Sequence, residues 1–279
     1  MPCQVVNGRR DATIAAMASN QRTLVRWVER EVRRCRPIAL RYFRSRGLRI
    51  DRKADASPVT AADRAIEERL RRVLVKGCSG ERIVGEEFGV SGARSLTYWT
   101  IDPIDGTRAF SSGLPSWGIL VARVEQGRPT LGVCDFPVIG VTLAVAPGVR
   151  AYERSNGSPI PLARPRPMRS LGESVIFHGG SAWWQRTRYA KGFTRLMSRC
   201  YLERAYGDCY GYLWALRGYA DAVIDCGVKP WDMAPFFALA HASGRVLVNF
   251  QNQPSFSGPD SIMAAPALAQ RIAKMLRGT

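Results

Sequence analysis

The chain has 279 residues, 46% of them hydrophobic, enough for one large domain or two modest ones, and no apolar run reaches the ~20 residues of a membrane helix. Its formal charge is +18, and residues 1–52 hold 13 arginines against four acids, a balance that suits an anionic partner. There is no aromatic-interleaved basic run or zinc-finger spacing, so nucleic acid is not the expected one. Seven cysteines form no Cys-x-x-Cys pair and only two histidines are present, so reduced thiols in a cytoplasmic protein are expected and any metal site must be built from oxygen.

Residues 1–20 lack a signal-peptide core and read as a disordered lead-in. Thr23 to Phe43 has helical spacing (Leu24, Trp27, Val28, Val32, Cys35), with Pro37 placed to kink or divide it. Leu48 to Lys53 alternates as a short strand, and Lys53 to Asp63 is a loop by composition. Thr60 then opens a helix to about Val75 with Ala65, Ile66, Leu70, Val73 and Leu74 inward. Thr60-x-x-Asp63 forms a capping box, which by itself accounts for Asp63. Arg82 to Gly85 is a strand followed at once by Glu86 and Glu87. Tyr98 to Ile101 reads as a strand end, and Trp117 to Val124, Thr130 to Phe136 and Gly140 to Ala146 as an antiparallel meander. Residues 148–170, rich in Pro, Gly, Ser and Arg, read as the surface stretch between subdomains 21–150 and 151–279. The second half alternates. Strands are expected at 174–177, 220–224 and 246–249, and helices at 183–200, 208–217, 233–242 and 265–276, the α/β pattern of a layered fold.

The chemistry concentrates in Asp102-Pro-Ile-Asp-Gly-Thr107. Pro103 fixes φ and removes a donor, and Gly106 permits close backbone approach. Asp102 and Asp105 can converge on a hard cation, while Gly106 and Thr107 can open a helix toward an anion. An Asx-turn leading into a helix cap explains the same residues locally. Glu86, next to a buried strand, would meet Asp102 if the two strands are neighbours. Asp232 before an apolar helix is a cap position and a fourth carboxylate. Four acids at strand ends and helix starts of so basic a chain are better explained by metal than by chance.

Three blocks, Gly85-Glu86-Glu87, Asp102 to Thr107 and Trp231-Asp232, resemble the inositol monophosphatase superfamily of metal-dependent phosphatases, in order and spacing, from about residue 22 to the C-terminus. Gly207-Asp-Cys-Tyr-Gly-Tyr212, Asp221 to Asp225 and the loop through Asp63 look closer to its histidinol-phosphate phosphatase branch; Trp231 follows the inositol-specific members instead. The resemblance implies the αβαβα sandwich of that superfamily, a homodimer as its assembly, and a small phosphate ester as substrate. It implies two or three Mg²⁺ ions, with Mn²⁺ as a substitute and Li⁺ as an inhibitor. Glu86, Asp102 and the Ile104 carbonyl would hold one ion, and Asp102, Asp105 and Asp232 a second. Glu86 would touch a third. Asp105, Gly106 and Thr107 would receive the phosphate. Glu86 and Thr107, backed by Asp63, would prepare the attacking water. Asp208 and Asp225 would read the rest of the substrate, an acid at 208 suiting an amine or imidazole. L-histidinol phosphate is the expected substrate, ahead of inositol phosphate, another sugar phosphate or an adenosine bisphosphate. The reading of a different class is an idle homologue binding an anionic polymer. A structural role is the expectation for His178.

Overall fold

The computed structural model describes residues 20–45, 50–52, 58–78, 81–167 and 170–278. The lead-in lies outside them except for Asn20, whose side chain accepts from the Thr23 amide and caps the first helix; Lys53 to Ser57 also lie outside. The long N-terminal helix is divided, as the proline requires. Helix α1 is Gln21–Arg33 and α2 is Arg36–Tyr42, with Pro37 in the first turn, where a missing N–H leaves no bond unmade. Strands β1 (Ile50–Arg52) and β2 (Pro58–Thr60) pair antiparallel, and α3 runs Ala61–Gly77. Its buried face is Ala62, Asp63, Ile66, Glu67, Leu70 and Leu74, so two acids join the apolar face while Ala65 and Val73, expected inward, are half-buried.

Next come β3 (Arg82–Gly85), β4 (Gly89–Ser91), β5 (Thr97–Asp105), α4 (Thr107–Ser111), β6 (Gly118–Glu125), β7 (Arg128–Phe136), β8 (Val141–Ala146), β9 (Val149–Arg154) and β10 (Ile160–Pro161). They build one eight-stranded sheet, ordered β10-β9-β8-β7-β6-β5-β3-β4. Its one parallel pair is β3 with β5. The expected meander is present, and it is longer than its sequence suggests. The stretch 148–170 supplies β9 and β10 to this sheet, and a boundary at residue 150 falls inside β9. Arg150 and Arg154 made the segment look solvated, and polar side chains are common on strands near a sheet edge.

The second half forms β11 (Val175–His178), α5 (Ser181–Trp184), α6 (Ala190–Met197), β12 (Leu202–Arg204), α7 (Asp208–Leu216), β13 (Ala222–Cys226), α8 (Pro230–Ala242), β14 (Val246–Val248), β15 (Asp260–Ala264) and α9 (Pro266–Arg277). The five strands make a mixed sheet, β12-β11-β13-β15-β14. The helix expected over 183–200 is two short ones, and β12 and β15 carried too few apolar residues in a row to be read.

Alternate residues of the large sheet bury against different helices. Trp99, Ile101, Ile119, Val121 and Val133 share a core with α1, α2 and α3. Leu120, Cys134, Leu143 and Val145 share another with α7, α8, Val223 and Met263. Ile176, Ile224 and Ile262, on the opposite side of the small sheet, pack on α6 and α9. The order is therefore helix, sheet, helix, sheet, helix, the expected αβαβα sandwich. Both faces of each sheet are covered, which explains why the strands read as apolar runs rather than alternating ones. The middle helices α7 and α8 are buried on nearly all sides, and their N-termini come to the end of β5.

Candidate active site

Asp102 to Asp105 is the end of β5, not a loop after it, and Thr107 already opens α4. In a regular strand, residues three apart point to opposite faces. Here Asp102 pairs with Leu120 and Asp105 with Gly118, so β5 spends one extra residue between them. That bulge, at Pro103–Ile104, turns both carboxylates to the same side. The Asx-turn is also present, with the Ile104 amide donating to Asp102 Oδ1 at 3.1 Å. Gly106 then takes φ 88° as the cap of α4, and a Cβ there would lie 2.8 Å from the Ser116 carbonyl oxygen. Only glycine meets both conditions.

Asp232 enters from α8, where its Oδ2 accepts the Lys229 amide at 2.8 Å. It caps the helix and still faces the cluster. Oxygens of Asp102, Asp105 and Asp232 all lie within 4.8 Å of one another. Glu86 joins by strand order. β3 and β5 are parallel neighbours, and the Glu86 amide donates to the Ile101 carbonyl at 3.1 Å. Its carboxylate raises Asp102, Asp232 and Asp63.

Asp63 caps its helix and also faces Thr107. Oδ2 accepts the Thr60 amide at 2.8 Å and the Thr60 hydroxyl at 2.6 Å, completing the capping box. Oδ1 stands 3.5 Å from the Thr107 hydroxyl, which donates to the Ile104 carbonyl at 3.0 Å.

Asp208 and Asp225 belong to the same cluster. Asp208 opens α7 in the left-handed region at φ 53°, and its Oδ2 would touch a Cβ on Gly106 at 3.4 Å. The next amide, Cys209, donates to Asp105 Oδ2. Asp225, at the end of β13, accepts from its neighbour Cys226 at 2.8 Å and from the Asp208 amide. His178 keeps a structural role: its two ring nitrogens lie 2.6 Å from the Gly179 carbonyl and 2.6 Å from Glu203.

Burial pushes Asp63, Asp102, Asp105, Asp208, Asp225 and Asp232 up, and at all but Asp208 nearby acids add to it. Glu86, Asp105 and Asp232 then raise Asp102 well above its usual range, and Asp208 and Asp232 do the same to Asp105. Asp225 and Asp232 rise to about 7 and Asp63 to about 6. Arg108 pulls Asp208 back down in part. Buried acids crowded this way are costly unless a cation is shared among them. Their donors are all oxygens, so the set fits Mg²⁺ or Mn²⁺ rather than a soft metal.

One residue of this centre was not read from the sequence. Glu67 on α3 is fully buried. It accepts the Glu87 amide at 2.7 Å, the Phe88 amide at 3.2 Å and Arg71 Nε at 2.7 Å. Arg71 in turn holds the Gly89 carbonyl and the Ser91 hydroxyl. The turn that carries Glu86 is thus tied to α3. Gly85 makes room, since a Cβ there would fall 2.0 Å from Glu67 Oε1. Glu67 and Arg71 are four apart on a helix, which from sequence reads as a solvated ion pair; the glycine just before Glu86 was the available signal.

The same architecture occurs in known proteins. The chain is 34% identical over 211 residues to a histidinol-phosphatase of Mycobacterium tuberculosis, covering 73% of this chain and 79% of that protein. It is 29% identical over 228 residues to a histidinol-phosphatase of Chlorobaculum parvum, covering 82% and 86%. An inositol monophosphatase structure from Zymomonas mobilis superposes with a TM-score of 0.77 at 28% identity, covering 91% of this chain and 97% of that one. The model of the inositol monophosphatase family matches residues 20–278. The chain belongs to that family and is a phosphoric monoester hydrolase.

Proposed function

We propose that the protein hydrolyses L-histidinol phosphate to L-histidinol and phosphate with Mg²⁺. The observation that carries the substrate is the pair Asp208 and Asp225 beside the phosphate end of the site. Two carboxylates there suit a substrate bearing a cationic amine, and the two histidinol-phosphatase relatives agree. Glu86, Asp102 and the Ile104 carbonyl would hold one ion, and Asp102, Asp105 and Asp232 another, with Glu86 reaching a third. Mn²⁺ would substitute and Li⁺ would inhibit. When bound, the ions would neutralise the phosphoryl oxygens and acidify a water. The amides of Gly106 and Thr107, at the start of α4, would orient the ester. The Thr107 hydroxyl, held toward Asp63, would fix the attacking water, and Glu86 and Asp63 would receive its proton. Phosphoryl transfer asks mainly for positioning and charge neutralisation, and this constellation supplies both without a covalent nucleophile. The reading includes a homodimer in the cytoplasm; sedimentation tests the assembly, and the six described cysteines are all free thiols.

Inositol phosphate is the second reading, favoured by Trp231 and by the Zymomonas mobilis structure. The intact set of acids speaks against an idle homologue, since buried carboxylates have no structural need of one another. Phosphate release with Mg²⁺ should give the highest kcat/KM on histidinol phosphate among histidinol phosphate, inositol 1-phosphate, fructose 1,6-bisphosphate and adenosine 3′,5′-bisphosphate. A higher value for inositol 1-phosphate would overturn the substrate and keep the chemistry.

A further inference from the structure

The arginine excess of the N-terminal region has no part in the acidic centre, yet part of it is organised. Helix α1 and the β9–β10 edge of the large sheet enclose a groove of about 230 Å³. Arg22 and Arg26 from α1, and Arg150 and Arg154 from β9, line it. Arg154 is committed: its Nε lies 2.6 Å from Glu29, which is buried and also accepts the Tyr152 hydroxyl at 2.8 Å. Arg22, Arg26 and Arg150 are exposed and have no acid or carbonyl partner among the described residues.

Their placement breaks two local rules. Arg22 lies in the first turn of α1, which holds no acid; a cation there opposes the helix dipole. Arg22 and Arg26 are four apart on one helix, a repulsive spacing for like charges. Violations without a local gain are expected where a ligand compensates. The lead-in does not supply the counter-charge, because residues 1–19 contain one acid, Asp11, against Arg9 and Arg10.

The floor decides the class of ligand. Val25 and Tyr152, buried in the core beneath α1, line the groove with the arginines, together with Val149, Pro159 and Pro161. Guanidinium groups match phosphate oxygens in pairs, and an apolar floor suits a carbon body. We propose that this groove binds an organic phosphate, a phosphate or pyrophosphate group carried on a flat or apolar body. It shares no residue with the acidic centre, and the proposal does not depend on which ester the enzyme cleaves.

The test uses the full chain, freed of metal with chelator so that the acidic centre repels anions, at about 50 mM salt where screening is weak. ATP is titrated by calorimetry. Submillimolar binding is expected, about tenfold or more weaker in Arg26→Gln/Arg150→Gln and weakened in Arg22→Gln, with circular dichroism confirming the fold. Asp105→Asn should leave ATP affinity unchanged. No binding heat for the wild type, or equal affinity in the double variant, overturns the proposal. Inorganic pyrophosphate binding as tightly as ATP overturns the organic body, and a 20-nucleotide RNA that displaces ATP at far lower concentration overturns the small ligand.

Discussion

The proposed ligand group (Glu86, Asp102, Asp105, Asp232) and the proposed substrate pair (Asp208, Asp225) stand in one cluster, buried at Asp102, Asp105 and Asp225, half-buried at Glu86 and Asp232 and exposed at Asp208, but are held differently. The ligand group is set mostly by backbone at or next to each member, although Asp105 also accepts the distant Cys209 amide. A bulge turns Asp102 and Asp105 together, the first turn of α8 holds Asp232, and a parallel strand pair carries Glu86. The substrate pair depends on a link across the fold. Asp208 takes a left-handed backbone at the start of α7, its amide supports Asp225, and Arg108 faces it from α4. The difference teaches that, on the proposed assignment, the acids doing the shared chemistry are placed mostly by nearby backbone, whereas the acids proposed to select the substrate are assembled from more distant segments and are the easier ones to retune.

The largest break in this comparison should come from Asp102→Asn. One oxygen donor becomes an amide, and kcat should fall by about 10³-fold or more, on the scale of losing preorganised charge stabilisation, with the fold kept. Steady-state kinetics and circular dichroism check it; a variant retaining most of its kcat would remove Asp102 from the metal set. Glu67→Gln should act through Glu86. The substituted amide disturbs three bonds that hold the Glu86 turn, and Mg²⁺ affinity should weaken by about 10- to 100-fold, as for partners that orient ligands. The half-saturating Mg²⁺ should rise more than KM at saturating Mg²⁺. An equal rise in both would mean a merely structural role.

These two sites also mark what could be read from the chain. Asp102 to Thr107 was legible because it is contiguous and its residue types resist both helix and strand. That β5 continues through it was not, since the bulge is defined only against the β6 register. The αβαβα layering was implied by the family resemblance, whereas the residue pattern alone showed only an alternation of helices and strands. Strands β9 and β10 were missed because the arginines of β9 and the prolines around β10 resemble a loop. Asp63 was read as a cap, with catalysis added by resemblance. Its two oxygens divide the capping bonds and the approach to Thr107, which neither reading alone describes. Glu67 escaped because only the tertiary contact at Gly85 separates it from a surface ion pair.

The substrate pair should yield a smaller and selective effect. Asp208→Ala removes a carboxylate from the rim while leaving the four ligand acids, so KM for histidinol phosphate should rise about tenfold, the value of one modest charge-assisted contact. KM for inositol 1-phosphate should move much less. Equal changes on both substrates would show that Asp208 positions Asp105 through the Cys209 amide rather than reading the amine, and the division between the two groups would then dissolve.

The smallest effect sharpens the comparison without touching substrate. In the metal-free protein Asp225 and Asp232 are pushed up to about 7 and Asp63 to about 6, chiefly by burial. A carboxyl raised above its unfolded value binds its proton more tightly when folded. The stability it lends is full below the unfolded value near 4 and is lost as pH rises through the folded one. The chelated protein should therefore melt about 5 °C or more lower at pH 8 than at pH 5, given ~2–4 °C per kcal/mol for a chain of this size. Excess Mg²⁺ should raise Tm more at pH 8 than at pH 5, because a cation relieves the repulsion only when the acids are ionised. Asp232→Asn should flatten the metal-free profile more than Asp208→Asn, since Arg108 already offsets part of the charge at Asp208. The same pH slope with and without metal would mean that the acids do not share a cation, and that their crowding serves something other than binding one.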